Sequence, residues 1–369
     1  MRECMADGRA GSMTNIRRRG LLGAAGAVFV GCSCGANPVL AADAPAEPRR
    51  VSLGGRRVQV CDVHAHCAFP SVGEVVRGTP FDRPIAPPSL VVAPDRIAAM
   101  DARGIDVALL SVNIYWWYDA ERDLAERVVR LHDEGLAELC RAYPGRFLAA
   151  SSPAVQFPEL AAEQLEYAVR HLGARAASVG GHVKGEILSA PRFDPFWAKV
   201  VELGVPVFMH PDNAQNLVPP RSWAGRGDLA NVIGNPLETT MFLSRMIFDG
   251  TLDRFPDLRI IAAHGAGYLP SYLGRVEVAC DVRPGANCLN RRRPAEYLRT
   301  QIMADSMVFS AEGIRHLVAE MGPGQIVFGS DMPYVWPDTI DNILRTPGLG
   351  DEEKLAILNG NFRRVIRMD

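Results

Sequence analysis

Val58-Gln59-Val60-Cys61-Asp62-Val63-His64-Ala65-His66 is a short run of β-branched and apolar residues that ends in two histidines one residue apart. Residues two apart on a strand project to the same side. Two imidazoles spaced in this way suit a single metal ion, because neutral imidazole is a common ligand of divalent transition metals. A lone His-x-His pair also arises by chance. Its meaning therefore depends on what the remaining chain brings to it.

Outward from this stretch the pattern is strand, then helix, repeated. A long segment rich in Pro and Gly, 67–94, reads as an active-site loop. A helix then starts at Pro94-Asp95, and Val107-Ala108-Leu109-Leu110-Ser111-Val112 is a second strand. The segment 121–143 has apolar residues at helical spacing, including Leu124, Val128, Leu131 and Leu139; His132, Asp133 and Glu134 are expected on its exposed face. Further strands are expected at 147–150, 176–182, 205–210, 258–264, 307–310 and 325–331. The intervening helices fall at 160–172, 193–203 and 237–249, with a closing helix at 355–367. A second long loop, 211–236, carries Pro219, Pro220 and Trp223. Eight strands alternating with helices predict a (β/α)8 TIM barrel, one domain over 51–369. A doubly wound open sheet is the alternative, but it would normally place a glycine-rich phosphate turn after the first strand, where this chain has the His pair.

Composition agrees with one globular unit. The chain has 369 residues, 48% apolar and 22% charged, with a net charge of −2. That balance gives no reason to expect nucleic acid or an anionic membrane as partner. Residues 1–42 read as a twin-arginine signal peptide: Arg17-Arg18-Arg19-Gly20 precedes an apolar run too short to span a membrane, and Val39-Leu40-Ala41 offers a cleavage site. Residues 43–50 form a linker, and the mature protein is expected in the periplasm without a membrane span or lipid anchor. Of eight cysteines, Cys61, Cys67, Cys140, Cys280 and Cys288 lie beyond the leader. No Cys-x-x-Cys pair is present; a Cys280–Cys288 disulfide is conceivable, but buried free thiols are the expectation.

In a barrel the C-terminal ends of all strands share one face, where active sites are built. Five of the eight histidines, His64, His66, His182, His210 and His264, stand at expected strand ends. The other three, His132, His171 and His316, fall in helices and are expected at the surface. His64, His66, His210, His264 and Asp331 converge on one mouth. Three or four N/O ligands with an open position describe a catalytic metal centre rather than a closed structural one. Asp331 can ligate the metal, accept a hydrogen bond from bound water, or do both. His182 is expected to pack behind the site, with substrate contact as its alternative.

The His-x-His pair, His210, His264 and Ser330-Asp331 on a barrel pattern resemble the amidohydrolase superfamily. Several stretches resemble its aminocarboxymuconate-semialdehyde decarboxylase branch. Among them are Asn235-Pro236-Leu237-Glu238-Thr239-Thr240, Ala263-His264-Gly265-Ala266-Gly267 and Gly329-Ser330-Asp331-Met332-Pro333-Tyr334. The resemblance implies that His64, His66, His210 and Asp331 hold one zinc ion, with manganese as the alternative metal. It implies that His264 is a general acid/base beside the metal, working with metal-bound water. It points to Arg83, Trp223 and Tyr334 as contacts for a small carboxylate or ring substrate, and to a homodimer. Trp116, Trp117 and Tyr118 either line the pocket or pack over the barrel rim. The implied reaction is decarboxylation of an unsaturated or aromatic acid. Hydrolysis of a lactone or amide is the second reading, and an exported, non-catalytic binding protein the third.

Overall fold

A computed structural model describes residues 47–82, 87–112, 116–212, 214, 217–337 and 339–368. Eight parallel strands form one sheet: β1 (Cys61–His66), β2 (Val107–Ser111), β3 (Phe147–Ser151), β4 (Ala176–Val179), β5 (Val207–Met209), β6 (Ile260–Ala262), β7 (Ile302–Asp305) and β8 (Ile326–Val327). Each pairs with its sequence neighbour. The sheet curls until its ends meet. Val63 N–H donates to Phe328 O at 3.0 Å, Asp331 N–H to His64 O at 2.8 Å and His66 N–H to Met332 O at 2.7 Å. The result is a nearly closed parallel barrel ringed by helices, as the strand–helix alternation predicts.

The principal helices are α1 (Pro94–Arg103), α2 (Arg122–Ala142), α3 (Pro158–Leu172), α4 (Asp194–Leu203), α5 (Asn235–Phe248), α6 (Leu273–Val282), α7 (Pro294–Thr300), α8 (Ala311–Met321), α9 (Thr339–Arg345) and α10 (Asn361–Ile366). Their boundaries have local causes. Pro stands in the first turn of α1, α3 and α4, where its missing N–H costs nothing, and a left-handed Gly ends each of them. Between strands and helices lies the main apolar layer, with Leu110, Met209 and Ile260 packed among helical residues such as Phe196 and Trp197. A second, smaller cluster fills the barrel's centre. Cys61, Val63, Phe208 and Ile261 meet there, and Phe362 and Ile366 of α10 join them.

One irregularity positions the site. The β1–β2 register shifts between Asp62 and Ala65. Val63 packs with the barrel centre, whereas Ala65 packs with the outer layer. The shift changes the face a residue presents, as a bulge does, and His64 and His66 stand together at the mouth above it.

Four expectations from the sequence are corrected. The seventh strand is Ile302–Asp305, not 307–310. The sixth strand ends at Ala262, and His264 sits in a turn beyond it. His132 and Asp133 are buried, because they share the face of α2 that carries Val128, Val129, Leu136 and Ala137. Cys280 and Cys288 form a disulfide, while Cys61 and Cys67 are buried free thiols and Cys140 is half-buried. His171 is exposed and His316 half-buried. The expected leader, residues 1–42, and the first half of the linker, 43–46, lie outside the described residues; among those described, no helix is long and apolar enough to cross a membrane.

Candidate metal centre and acid/base site

His64, His66, His210 and Asp331 are brought together at the C-terminal mouth, each buried, with one ligand atom apiece lying within 4.8 Å of the others. Asp331 Oδ1 is 2.7 Å from His66 Nε2 and 3.1 Å from His64 Nε2. The two Nε2 atoms are 3.1 Å apart. Ligand atoms bound to one transition ion at about 2.1 Å sit roughly 3 Å from each other, so these spacings fit a shared ion. Three imidazoles and a carboxylate form the mixed N/O set that borderline divalent metals take.

The members are held by different means. His64 Nδ1 is 2.7 Å from Asp305 Oδ2, which leaves Nε2 facing the cluster. A carboxylate behind a ligating histidine fixes the ring and its tautomer. The other oxygen of Asp305 accepts the N–H of Gly265 at 2.8 Å, so this one carboxylate braces both β1 and the turn after β6. Asp331 keeps Oδ1 toward the histidines while Oδ2 accepts the Trp336 indole N–H at 2.7 Å. Asp62 accepts the backbone N–H groups of His64 and Ser330, at 2.9 and 3.0 Å, and the Ser330 hydroxyl. It thereby ties β1 to the segment bearing Asp331. By contrast, Nδ1 of His210 and Nδ1 of His264 are buried with no hydrogen-bond partner among the described residues. Leaving a buried polar atom unpaired costs about 1–3 kcal/mol, which a fold sustains most readily where a ligand is to be met.

Charge follows the geometry. Burial alone would depress the His64 imidazole, but Asp331 and Asp305 outweigh it and lift it to about 10. Burial likewise opposes ionisation of Asp331, yet His64 and His66 hold it well below the usual carboxylate range. His210 has no such compensation: burial, then the neighbouring His66 and His64, keep it far below the ordinary imidazole value. Burial followed by His64 lowers His264 to about 4. Without an ion the β1 side thus favours a charged histidine–carboxylate array, whose proton a bound metal would displace, and the β5–β6 side favours neutral rings.

His264 stands beside the four-residue group, its ring 5.2 Å from that of His64 and 5.1 Å from that of His210. Its backbone is left-handed (φ 57°), as is that of Ala266 (φ 61°), with Gly265 and Gly267 at φ 65° and 63°. A left-handed non-glycine residue is held at a cost of about 1–3 kcal/mol and recurs at functional sites. The Ala-His-Gly-Ala-Gly motif is this turn.

The remaining candidates separate. Tyr334 is half-buried and borders the cluster, its ring 5.5 Å from that of His66 and edge-on to it. His182 lies in the short hairpin after β4; its Nδ1 accepts the Gly185 N–H at 3.1 Å and its Nε2 is 3.9 Å from Glu238 Oε2. These contacts turn its ring toward the hairpin and α5. Trp223 is half-buried in the turn Pro220–Trp223 and has no ring contact with the histidines among the described residues. Arg83 lies outside the described residues. Trp117 packs on Phe81 and His132 beneath the rim. Trp116 stacks on Tyr118, whose hydroxyl accepts the Gly180 N–H at 3.1 Å.

The sequence reading missed Asp305, Asp62, Trp336 and Glu238. Asp305 carried a signal, an acidic residue ending the apolar run Ile302-Met303-Ala304, and Trp336 stood five residues beyond Asp331. Glu238 lay in a quoted motif without a role.

Residues 61–368 match the family model described as Amidohydrolase. The 2-amino-3-carboxymuconate-6-semialdehyde decarboxylase of Dictyostelium discoideum is 28% identical over 279 residues, 74% of this chain and 76% of that protein. A gamma-resorcylate decarboxylase of a Rhizobium species is 28% identical over 286 residues, 74% of this chain and 86% of its own length. Among solved structures, a dihydroxybenzoic acid decarboxylase from a Polaromonas species, with bound manganese and the inhibitor 2-nitroresorcinol, superimposes with a TM-score of 0.73 at 24% identity. That alignment covers 84% of this chain and 97% of the other, and at that identity it speaks to the fold.

Proposed function

The chain belongs to the amidohydrolase family, and from that premise we propose that it is a metal-dependent decarboxylase of a small aromatic or unsaturated carboxylic acid. The observation that carries this reading is the buried three-histidine, one-carboxylate group with the neutral His264 beside it. The similarity to decarboxylases supports the choice of reaction over hydrolysis.

His64, His66, His210 and Asp331 would hold one divalent ion. Zinc suits the donor set, and manganese has the support of the Polaromonas structure. When bound, the metal orients a substrate oxygen and offsets the negative charge that builds as the carbon–carbon bond breaks. The chain's own groups do the rest. Asp305 and Trp336 keep His64 and Asp331 aimed at the shared centre of the four-residue group. The carboxylate carbon leaves as carbon dioxide, and the electron pair remaining on the substrate carbon takes a proton. His264, kept neutral by burial, accepts a proton from an acidic hydroxyl and returns it to that carbon. Tyr334 would flank the ring, and Arg83 and Trp223 remain the proposed partners of the substrate's carboxylate and ring.

We further propose that the mature protein is exported to the periplasm. The twin-arginine pattern supports this, and the Cys280–Cys288 disulfide suits an oxidising compartment. A homodimer is also proposed, with the exposed Tyr272, Val278 and Val282 as apolar surface for the second copy to cover; sedimentation at a single monomer mass would contradict it. The reaction is tested by carbon dioxide release from a panel of hydroxybenzoates and carboxymuconate analogues with manganese- or zinc-loaded protein. Release from at least one member is expected. Turnover confined to lactones or amides would overturn the assignment.

A further inference from the structure

We infer that the first turns of α5 are a bracket that positions both His210 and His264 through two separate residues, Glu238 and Thr240. The inference rests on the reading of His210 as a metal ligand and His264 as the acid/base. It gives a function to the Pro-Leu-Glu-Thr-Thr motif that neither role absorbs.

The His210 ring nitrogen Nδ1 has no hydrogen-bond partner among the described residues, so no carboxylate aims this ring as Asp305 aims His64. Its ring packs on those of His64, His66 and His264, and its backbone is tied down on both sides. On one side His210 N–H donates to Val179 O at 2.9 Å. On the other, Glu238 takes over: Oε2 accepts the N–H groups of Asp212 and Ala214 at 2.9 and 2.8 Å, and Oε1 accepts Gly181 N–H at 2.9 Å. One buried carboxylate thus clamps the chain two residues past His210 to the chain two residues past Val179. The approach leaves no room at Gly181, where a Cβ would lie 2.6 Å from Glu238 Cγ.

Two residues along the same helix, on another face, Thr240 serves the other histidine. Its Oγ1 accepts the Tyr268 N–H at 2.7 Å and donates to Pro236 O at 2.7 Å. A Cβ at Gly267 would collide with Pro236 O and with Thr240 Oγ1. The end of the left-handed His264 turn is therefore seated on the start of α5. Glu238 and Thr240 are positioning residues, and they act on different histidines.

The test compares Glu238→Gln with Thr240→Val. A glutamine keeps the shape of Glu238 but replaces one accepting oxygen by an N–H2 that opposes the backbone donors. We expect it to weaken Mn2+ binding by about 10- to 100-fold, read by competition with a chelator. Thr240→Val should bind Mn2+ as the wild type does, shift the imidazole 15N resonances of His264, and lower turnover on the best substrate of the panel. Thr240→Ser should restore both. Metal-free thermal unfolding identifies folded protein; if Glu238→Gln does not fold, Glu238→Asp, with the charge kept and the reach shortened, is read in the same way and should also weaken Mn2+. Wild-type Mn2+ affinity in the folded Glu238 variant overturns the proposal, as does a loss of metal together with shifted His264 resonances in both variants. Absence of any decarboxylation by the wild type would sink the proposed reaction, while the metal and resonance measurements would still decide the bracket.

Discussion

The β1–β8 side of the mouth and its β5–β6 side solve the same problem by opposite means. On the first, His64 and Asp331 are aimed by side chains, Asp305 and Trp336, and Asp62 ties their backbones together. On the second, the ring nitrogens Nδ1 of His210 and His264 have no partner among the described residues, and turns braced on α5 do the aiming. Side-chain bracing keeps charge at a fixed spot, which suits residues that must hold a cation permanently. Backbone bracing leaves a ring neutral and its nitrogen open, which suits both a neutral imidazole ligand, His210, and a group that exchanges a proton, His264.

The comparison breaks most visibly at His264. His264→Asn should retain close to wild-type metal content and lose turnover by about 10²- to 10⁴-fold, the usual worth of a positioned acid/base. Loss of the metal in this variant would make His264 a ligand rather than an acid/base. Next comes Asp305→Asn, which removes a carboxylate that touches both sides. Metal affinity should fall by about 10- to 100-fold, measured by chelator competition; an unchanged affinity would mean that the His64 ring needs no bracing. Trp336→Phe deletes a single neutral donor to Asp331, so its effect on affinity should be at most about 10-fold, the low end of that range.

The smallest effect sharpens the comparison from outside the site. Asp305 and Asp331 are held ionised by histidines, whereas the side chain of Asp133 on α2 has, among the described residues, the Ser151 hydroxyl at 3.0 Å as its hydrogen-bond partner, and burial pushes it up to about 7. Its folded value exceeds its ordinary carboxyl value, so the native state binds the proton more tightly. Asp133 therefore lowers stability as pH rises from about 4 to about 7, and the loss is complete above that. Asp133→Asn should raise the unfolding temperature relative to wild type by a few degrees, roughly 2–4 °C per kcal/mol, at pH 8 and by less at pH 5. An equal change at both pH values would contradict the burial argument.

Much of this was legible in the chain. The barrel was readable because seven strands are apolar runs bounded by turn residues, and the metal group because its members end such runs. What escaped has physical reasons. Ile302–Asp305 follows directly on α7, so its four residues merge with the helix in a periodicity reading, and Asp305 was lost with the strand. His264 looked like a strand end because the left-handed turn costs no apolar residue. His132 and Asp133 looked exposed by polarity, although their spacing from Val128 and Val129 placed them on the buried face. The Cys280–Cys288 pairing depends on how the end of α6 meets the following loop, which spacing alone does not encode.

The central claim is that four residues from both sides of the mouth hold one catalytic metal. Its most direct test is elemental analysis of Mn2+- or Zn2+-loaded wild type alongside His66→Ala and His210→Ala, one ligand lost from each side. The account predicts close to one equivalent per chain in the wild type and little in either variant. Full occupancy in either variant, or less than about half an equivalent in the wild type, would contradict it.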